Sequence, residues 1–222
     1  MLRVKAIAPL RLAPEEMVRR QARYDRLGAN HVQVTLFNLE GRAPCQLNTP
    51  DEIVESESFV RDEIARTDAR EFDVILPDCV LDPAVGEAGE SPVPLAGILR
   101  LAAGHLASLG EPFSAVTRNA AIGNELRRKI GGYGLGEFLT SVELLDVDFC
   151  FVSDHSGWAA AMEPVCASLA GHGVTRLLNG CSAVDVSDRH VNGVVVIDPT
   201  ELAIQLLGTA YDAELICALS KV

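Results

Sequence analysis

Several familiar signatures are missing from this chain. Its six cysteines, Cys45, Cys79, Cys150, Cys166, Cys181 and Cys217, form no CxxC pair and no His/Cys spacing of the zinc type. That argues against a metal site or a paired redox motif. No Lys/Arg-rich run occurs, which argues against nucleic acid as a partner. The start, from Met1 to Pro9, has no apolar stretch of signal-peptide length. No apolar run is long enough to span a bilayer, so no membrane role is expected. A reducing cytosol with free thiols is the simplest setting.

Other absences are local. Gly131-Gly132-Tyr133-Gly134-Leu135-Gly136 resembles a phosphate loop but lacks its Lys-Ser/Thr and follows a helical pattern. It reads as a helix end and turn. Ser153-Asp154-His155-Ser156-Gly157 holds hydrolase-type residues without a GxSxG elbow. It reads as a polar loop capping the helix that begins near Trp158, although His155 remains a candidate to line a cleft. His31, His105, His172 and His190 lack ligand-like spacing. Positive charge is scarce: 19 basic against 31 acidic residues, a formal net charge of -12. The plain reading is solubility, and a pocket's local field can still oppose that net charge.

What is present suits a sizeable core: 222 residues, 48% of them hydrophobic. Apolar periodicity predicts strand 3–8, helix 15–27, strand 31–37, helix 56–69, strand 73–77, a short strand near 92–95 and helix 97–109. The pattern then restarts with strand 113–117, helix 120–131, strand 139–147, helix 158–171, strands 174–178 and 193–197, and helix 200–218. Alternation of this kind predicts an α/β fold with mainly parallel sheets flanked by helices. The two halves match in order and in detail. Val93-Pro94 leading into Gly97-Ile-Leu parallels Asp198-Pro199 leading into Glu201-Leu-Ala. Arg11 and Arg118 each follow the first strand of a half. Any α/β chain looks repetitive at this level, but paired cysteines favour a duplication: two pseudo-symmetric small units with an active site in the cleft between them. Gly86, Gly89 and Pro92 mark a loop rather than a spacer. The units are expected at 1–96 plus 200–222, and at 97–199.

Cys79 ends the run Phe72-Asp-Val-Ile-Leu-Pro-Asp, and Cys181 ends Val174-Thr-Arg-Leu-Leu-Asn-Gly. In open α/β sheets, ligands bind beyond the carboxyl ends of strands. Two thiols facing one cleft suit moving a proton from one face of a carbon to the other. One thiolate removes a hydrogen beside a carbonyl, and the other cysteine returns a proton from the opposite side. A free thiol titrates near about 8.5 and is tunable by neighbouring N–H groups and cations. The loops Val80-Leu81-Asp82-Pro83 and Ser182-Ala183-Val184 supply backbone N–H groups for a thiolate or an enolate oxygen. Cys150, Cys166 and Cys217 read as inert small hydrophobes, and Cys45 stays undecided.

At these residues the chain resembles the aspartate/glutamate/hydantoin racemase superfamily, nearest its hydantoin and allantoin racemase branch. That branch's Cys-Phe-x-Asp-Pro-Gly is matched by Cys79-Val80-Leu81-Asp82-Pro83-Ala84. Its Gly-Cys-Ala-Gly-Met is matched by Gly180-Cys181-Ser182-Ala183-Val184, and its Val-Val-Thr-Thr by Ala115-Val116-Thr117-Arg118. Leu126-Arg-Arg-Lys-Ile-Gly-Gly-Tyr133-Gly134-Leu135 resembles its Arg-Arg-Tyr-Gly-Leu segment. The resemblance implies a racemase or epimerase that needs no cofactor, with Cys79 and Cys181 as acid and base. It implies a hydantoin-like or amino-acid-like small molecule held by Pro9, Val80, Leu81, the Thr117 hydroxyl, Arg118, Ser182 and Ala183, and a homo-oligomer. The superfamily also contains maleate-type isomerases that use covalent cysteine addition, and a binding module without turnover is a third reading. The departures concern substrate. Ala8-Pro9-Leu10-Arg11-Leu12 keeps only the proline of the branch's Asn-Pro-Asn-Thr-Ser, Arg118 replaces a threonine, Ala84 a glycine, and Ala183 stands where amino-acid racemases carry histidine. Arg11 and Arg118 are candidates to bind a substrate carboxylate through a guanidinium fork.

Overall fold

In a computed structural model, residues 1–28, 31–86 and 91–216 are described. Gly89, Cys217 and the end of the helix expected through 218 lie outside them. Two sheets form. The first holds β1 (Leu2–Ile7), β2 (Val32–Phe37) and β3 (Val74–Pro77), all parallel, in the order β2-β1-β3. The second holds β4 (Phe113–Thr117), β5 (Leu139–Leu144), β6 (Arg176–Asn179), β7 (His190–Val191) and β8 (Val194–Ile197), in the order β5-β4-β6-β8-β7. Only the β7–β8 pair is antiparallel. The run β5-β4-β6 repeats β2-β1-β3, so the first three strands of each half have the same topology. Val4, Ala6, Val74, Leu76, Ala115 and Leu178 are buried together in one core that spans both sheets. This is the all-apolar pattern of parallel strands covered on both faces.

The helices are α1 (Pro14–Gly28), α2 (Pro50–Ala65), α3 (Ile98–Ser108), α4 (Ala120–Gly132), α5 (His155–Gly171) and α6 (Pro199–Asp212). Several boundaries differ from the periodicity reading. The helix expected at 56–69 begins at Pro50, because Thr49 and Glu52 form a reciprocal capping box around it. The helix expected at 158 begins at His155, because the Asp154 side chain accepts from the Gly157 N–H. The expected polar loop 153–157 thus caps the helix through Asp154, while His155, Ser156 and Gly157 form its first turn. The strand expected to 147 stops at Leu144, and Asp146 turns the chain at φ 50°. The strand near 92–95 is a single bridge from Leu95 to Ile75. The last helix stops at Asp212, and it packs on α3, α1 and β2.

Candidate active site

Cys79 and Cys181 each lie two residues past a strand, beyond β3 and β6 respectively. Both open onto one cavity of about 60 Å³. Pro9, Val80, Leu81, Thr117, Arg118, Ser182 and Ala183 line it as well. Leu10, Arg20, Leu47, Asp78, Ile122, Phe149, Val152 and Gly180 complete the wall; none of these eight was expected there, although Leu10, Asp78 and Gly180 lie in the segments around Pro9, Cys79 and Cys181. Arg11 is elsewhere, exposed, bonded to the Gly41 carbonyl at 3.2 Å and near the Cys45 sulfur. His155 also stays off the wall, 2.9 Å from an Arg19 nitrogen, and burial and that cation lower its pKa.

The first cysteine loop is braced from both sides. Asp78 accepts from Arg20 Nη1 at 2.9 Å and from the Tyr24 hydroxyl at 2.8 Å, and Arg20 also binds Glu16 at 2.7 Å. Asp82 accepts from the N–H groups of Leu99 and Arg100 at 2.9 and 2.7 Å, and from the Tyr133 hydroxyl at 2.9 Å. It thereby supplies the cap that Gly97, with no side chain, does not. A Cβ on Gly97 would lie 2.3 Å from an Asp82 oxygen. Burial outweighs these donors and pushes the Asp82 carboxyl up to about 6. Asp82 and Ala84 have φ of 47° and 64°, the left-handed region. Ala84 thus occupies the backbone conformation that suits the glycine of the resembling motif. Its N–H is tied to Glu57 at 2.8 Å, so the loop keeps its path despite the substitution.

The second cysteine loop is held by arginines from α1. Arg23, buried, donates to the Ser182 carbonyl, to Val184 O at 3.4 Å and to Asp198 at 2.6 Å, and pairs with Asp185. Arg19 donates to Ala183 O at 2.8 Å. The carbonyls of the loop are drawn toward α1, and the Ala183 N–H lowers the Cys181 pKa as a donor to it. Ser182 Oγ donates to the Asp78 carbonyl at 3.3 Å, linking the two cysteine loops directly. Thr117 donates its hydroxyl hydrogen to Gly180 O at 3.2 Å. Gly180 is needed at this point, because a Cβ would sit 2.5 Å from the Val116 carbonyl and 3.1 Å from Thr117 Cβ. Gly180→Ala should therefore cost about 1–3 kcal/mol, the usual range for overpacking. Urea denaturation checks this, and an unchanged midpoint would refute the steric account.

The two thiols differ in environment. Burial pushes Cys79 up to about 12, with Asp78 and Asp82 adding to the rise and the Leu81 N–H, 3.5 Å from the sulfur, opposing it. Burial also raises Cys181, but Arg20, Arg118 and Arg23 pull it down. Cys79 therefore faces carboxylates, and Cys181 faces guanidiniums. Arg118 donates to Asn48 Oδ1 and to Leu47 O, both at 2.7 Å, and lies 5.5 Å from the centre of the Phe149 ring.

A family model for Asp/Glu/hydantoin racemases matches residues 15–207. Among solved structures, allantoin racemase from Klebsiella pneumoniae is similar at a TM-score of 0.77 and 17% identity, over 96% of this chain and 89% of that one. The Picrophilus torridus aspartate racemase follows at 0.65 and 16%, over 96% and 95% of the two chains. The maleate isomerase Iso from Pseudomonas putida S16 gives 0.58 and 15%, over 95% and 93%. No curated protein sequence matches. At these identities the structural likenesses speak for the fold alone.

Proposed function

The chain belongs to the Asp/Glu/hydantoin racemase family, and from that premise we propose that it is a racemase or epimerase inverting an acidic carbon beside a carbonyl. One observation carries this reading: a cysteine from each sheet opens onto the same small cavity. Cys181, nearest the guanidiniums of Arg20, Arg118 and Arg23, is the group that forms a thiolate first. It takes the hydrogen from one face as a proton, and the C–H electron pair moves onto the carbonyl oxygen to give an enolate. Cys79, kept protonated by burial and its carboxylate neighbours, gives its proton to the opposite face as the carbonyl re-forms. For the other enantiomer the roles reverse. Proton transfer of this kind is most efficient when the acid and base are already poised in geometry. The Leu81 and Ala183 N–H groups serve the two sulfurs, so the Val80 and Ser182 N–H groups of the same loops are the donors proposed for the enolate oxygen. The two thiols provide both proton carriers, so the step calls on no cofactor.

The test is incubation in heavy water with a panel of hydantoins, allantoin, aspartate and other small carbon acids. Optical rotation of one panel member should decay while a single deuterium enters at the inverting carbon. A mass adduct on one cysteine with an unsaturated diacid would instead identify maleate-type isomerisation. Saturable binding with neither exchange nor adduct would identify a binding module.

A further inference from the structure

We propose that the cavity selects a small carbon acid bearing one carboxylate and no ammonium group, with Arg118 as the anion-binding residue. This rests on the cavity being the substrate site, as in the functional reading above, but does not depend on how the carbon then reacts. Two cations line the wall, Arg20 and Arg118. Arg20 is consumed by ion pairs to Glu16 and Asp78, at 2.7 and 2.9 Å. Arg118 has no carboxylate within ion-pair distance among the described residues. Asp148, Glu52 and Cys181 act on it only at longer range. Its two short bonds to Asn48 and Leu47 use two of five guanidinium hydrogens. They fix its plane, as does the Phe149 ring. The residue is 4% exposed, so a charge deprived of water stands ready with donors left over. A buried unpaired charge is costly, and a ligand carboxylate meeting that fork would relieve the cost. Burial indeed lowers the Arg118 pKa, the direction expected of an under-compensated guanidinium.

The same inventory argues against an α-ammonium. Among the described residues, the only carboxylate on the wall is Asp78. Its two oxygens are taken by Arg20 and Tyr24. The remaining wall is largely apolar: Pro9, Leu10, Leu47, Ile122, Phe149 and Val152. An ammonium placed there would lose water and gain no counter-charge. A carboxylate beside Arg118 with a short apolar substituent against that wall satisfies both ends.

Isobutyrate, isobutyramide and 2-aminoisobutyrate separate these terms. They share one carbon skeleton, carry respectively an anion, no charge and a zwitterion, and have no α-carbon that can invert. Binding is read by calorimetry on the wild-type protein at pH 7. Isobutyrate should bind at least about tenfold more tightly than either of the others. Arg118→Gln should remove that advantage and leave isobutyramide unchanged, and Arg118→Lys should keep part of it. Equal affinity for isobutyrate and isobutyramide in the wild type would overturn the proposal, whatever the variants do. So would 2-aminoisobutyrate binding as tightly as isobutyrate. An Arg118→Gln protein that keeps full isobutyrate affinity would show that Arg118 serves only the Cys181 thiolate. Since no ligand here can racemise, failure of this test leaves the proton-transfer reading standing. Failure of deuterium exchange likewise leaves this one standing.

Discussion

Cys79→Ser and Cys181→Ser, made separately, should each lower the rate of inversion by about 10²–10⁴, the range that a positioned acid or base contributes. The loss should appear in both directions, because each turnover needs one thiolate and one thiol on opposite faces. Isotope exchange should behave differently. A protein with one thiol left can remove a proton from one face and return a solvent deuteron to that same face. Each variant should therefore exchange one enantiomer without inverting it, and the two variants should prefer opposite enantiomers. Proton NMR in heavy water follows exchange, and chiral chromatography follows inversion. Either variant inverting both enantiomers at the parent rate would end the two-base mechanism. Folding is a minor concern. Serine is close in size to cysteine and keeps an acceptor for the Leu81 or Ala183 N–H, and the loops are held mainly by Asp78, Asp82, Arg19 and Arg23.

The parts of this site that could be read in the sequence are those tied to strand ends. Cys79 and Cys181 follow apolar runs, and a parallel strand buried on both faces leaves an unmistakable run such as Val74-Ile-Leu. The duplicated order of elements was legible for the same reason, and the repeated strand order of the two sheets is its physical counterpart. Two kinds of wall residue escaped the sequence reading. Leu47, Phe149 and Val152 reach the cavity from loops or short turns with no periodicity to reveal them. Arg20 reaches it from α1, whose inward positions carry Arg20, Arg23 and Tyr24. A periodicity reading sends arginines to solvent, so it inverts the faces of such a helix. Arg20 and Arg23 share the inward face with Tyr24, whereas Arg26, one three-residue step further, is exposed, so arginine spacing by itself does not mark that face. The start of α2 was readable, because Thr49-Pro50-Asp51-Glu52 is a capping-box spelling. The two-residue β7 is beyond any pattern, since it exists only through pairing with β8.

Arg23 joins these two lessons, because it is a charged residue used as core. Its guanidinium is buried between α1 and the Cys181 loop and touches Asp198, Asp185 and two loop carbonyls. Asp198 in turn caps α6 through the N–H groups of Thr200 and Glu201, at 3.0 and 3.1 Å. Arg23→Met keeps the length and apolar stem but removes every one of these bonds. Removing one partner of a buried ion pair costs about 3–5 kcal/mol, because the other charge stays behind without compensation. That is a large share of the 5–15 kcal/mol, roughly, that holds a typical domain together. Arg23→Met should therefore unfold at a much lower urea concentration than the parent. Inversion should fall as well, since the Ser182 and Val184 carbonyls lose their charged donor, one of those that orient the loop carrying Cys181. A double-mutant cycle separates the charge from the scaffold. Asp198→Asn keeps the side-chain oxygen that caps α6 and removes the stranded charge. Arg23→Met with Asp198→Asn should thus be destabilised by clearly less than the sum of the two single changes. Strict additivity would mean that the pair is not coupled, and that the cost of losing Arg23 lies in its other bonds, to Asp185 and the loop carbonyls, and in packing. Inversion should stay low in the double variant even where stability recovers, because the asparagine relieves the charge without replacing the Arg23 bonds, leaving the Ser182 carbonyl only the Thr200 hydroxyl at 3.1 Å and the Val184 carbonyl only Asn179 at 3.3 Å.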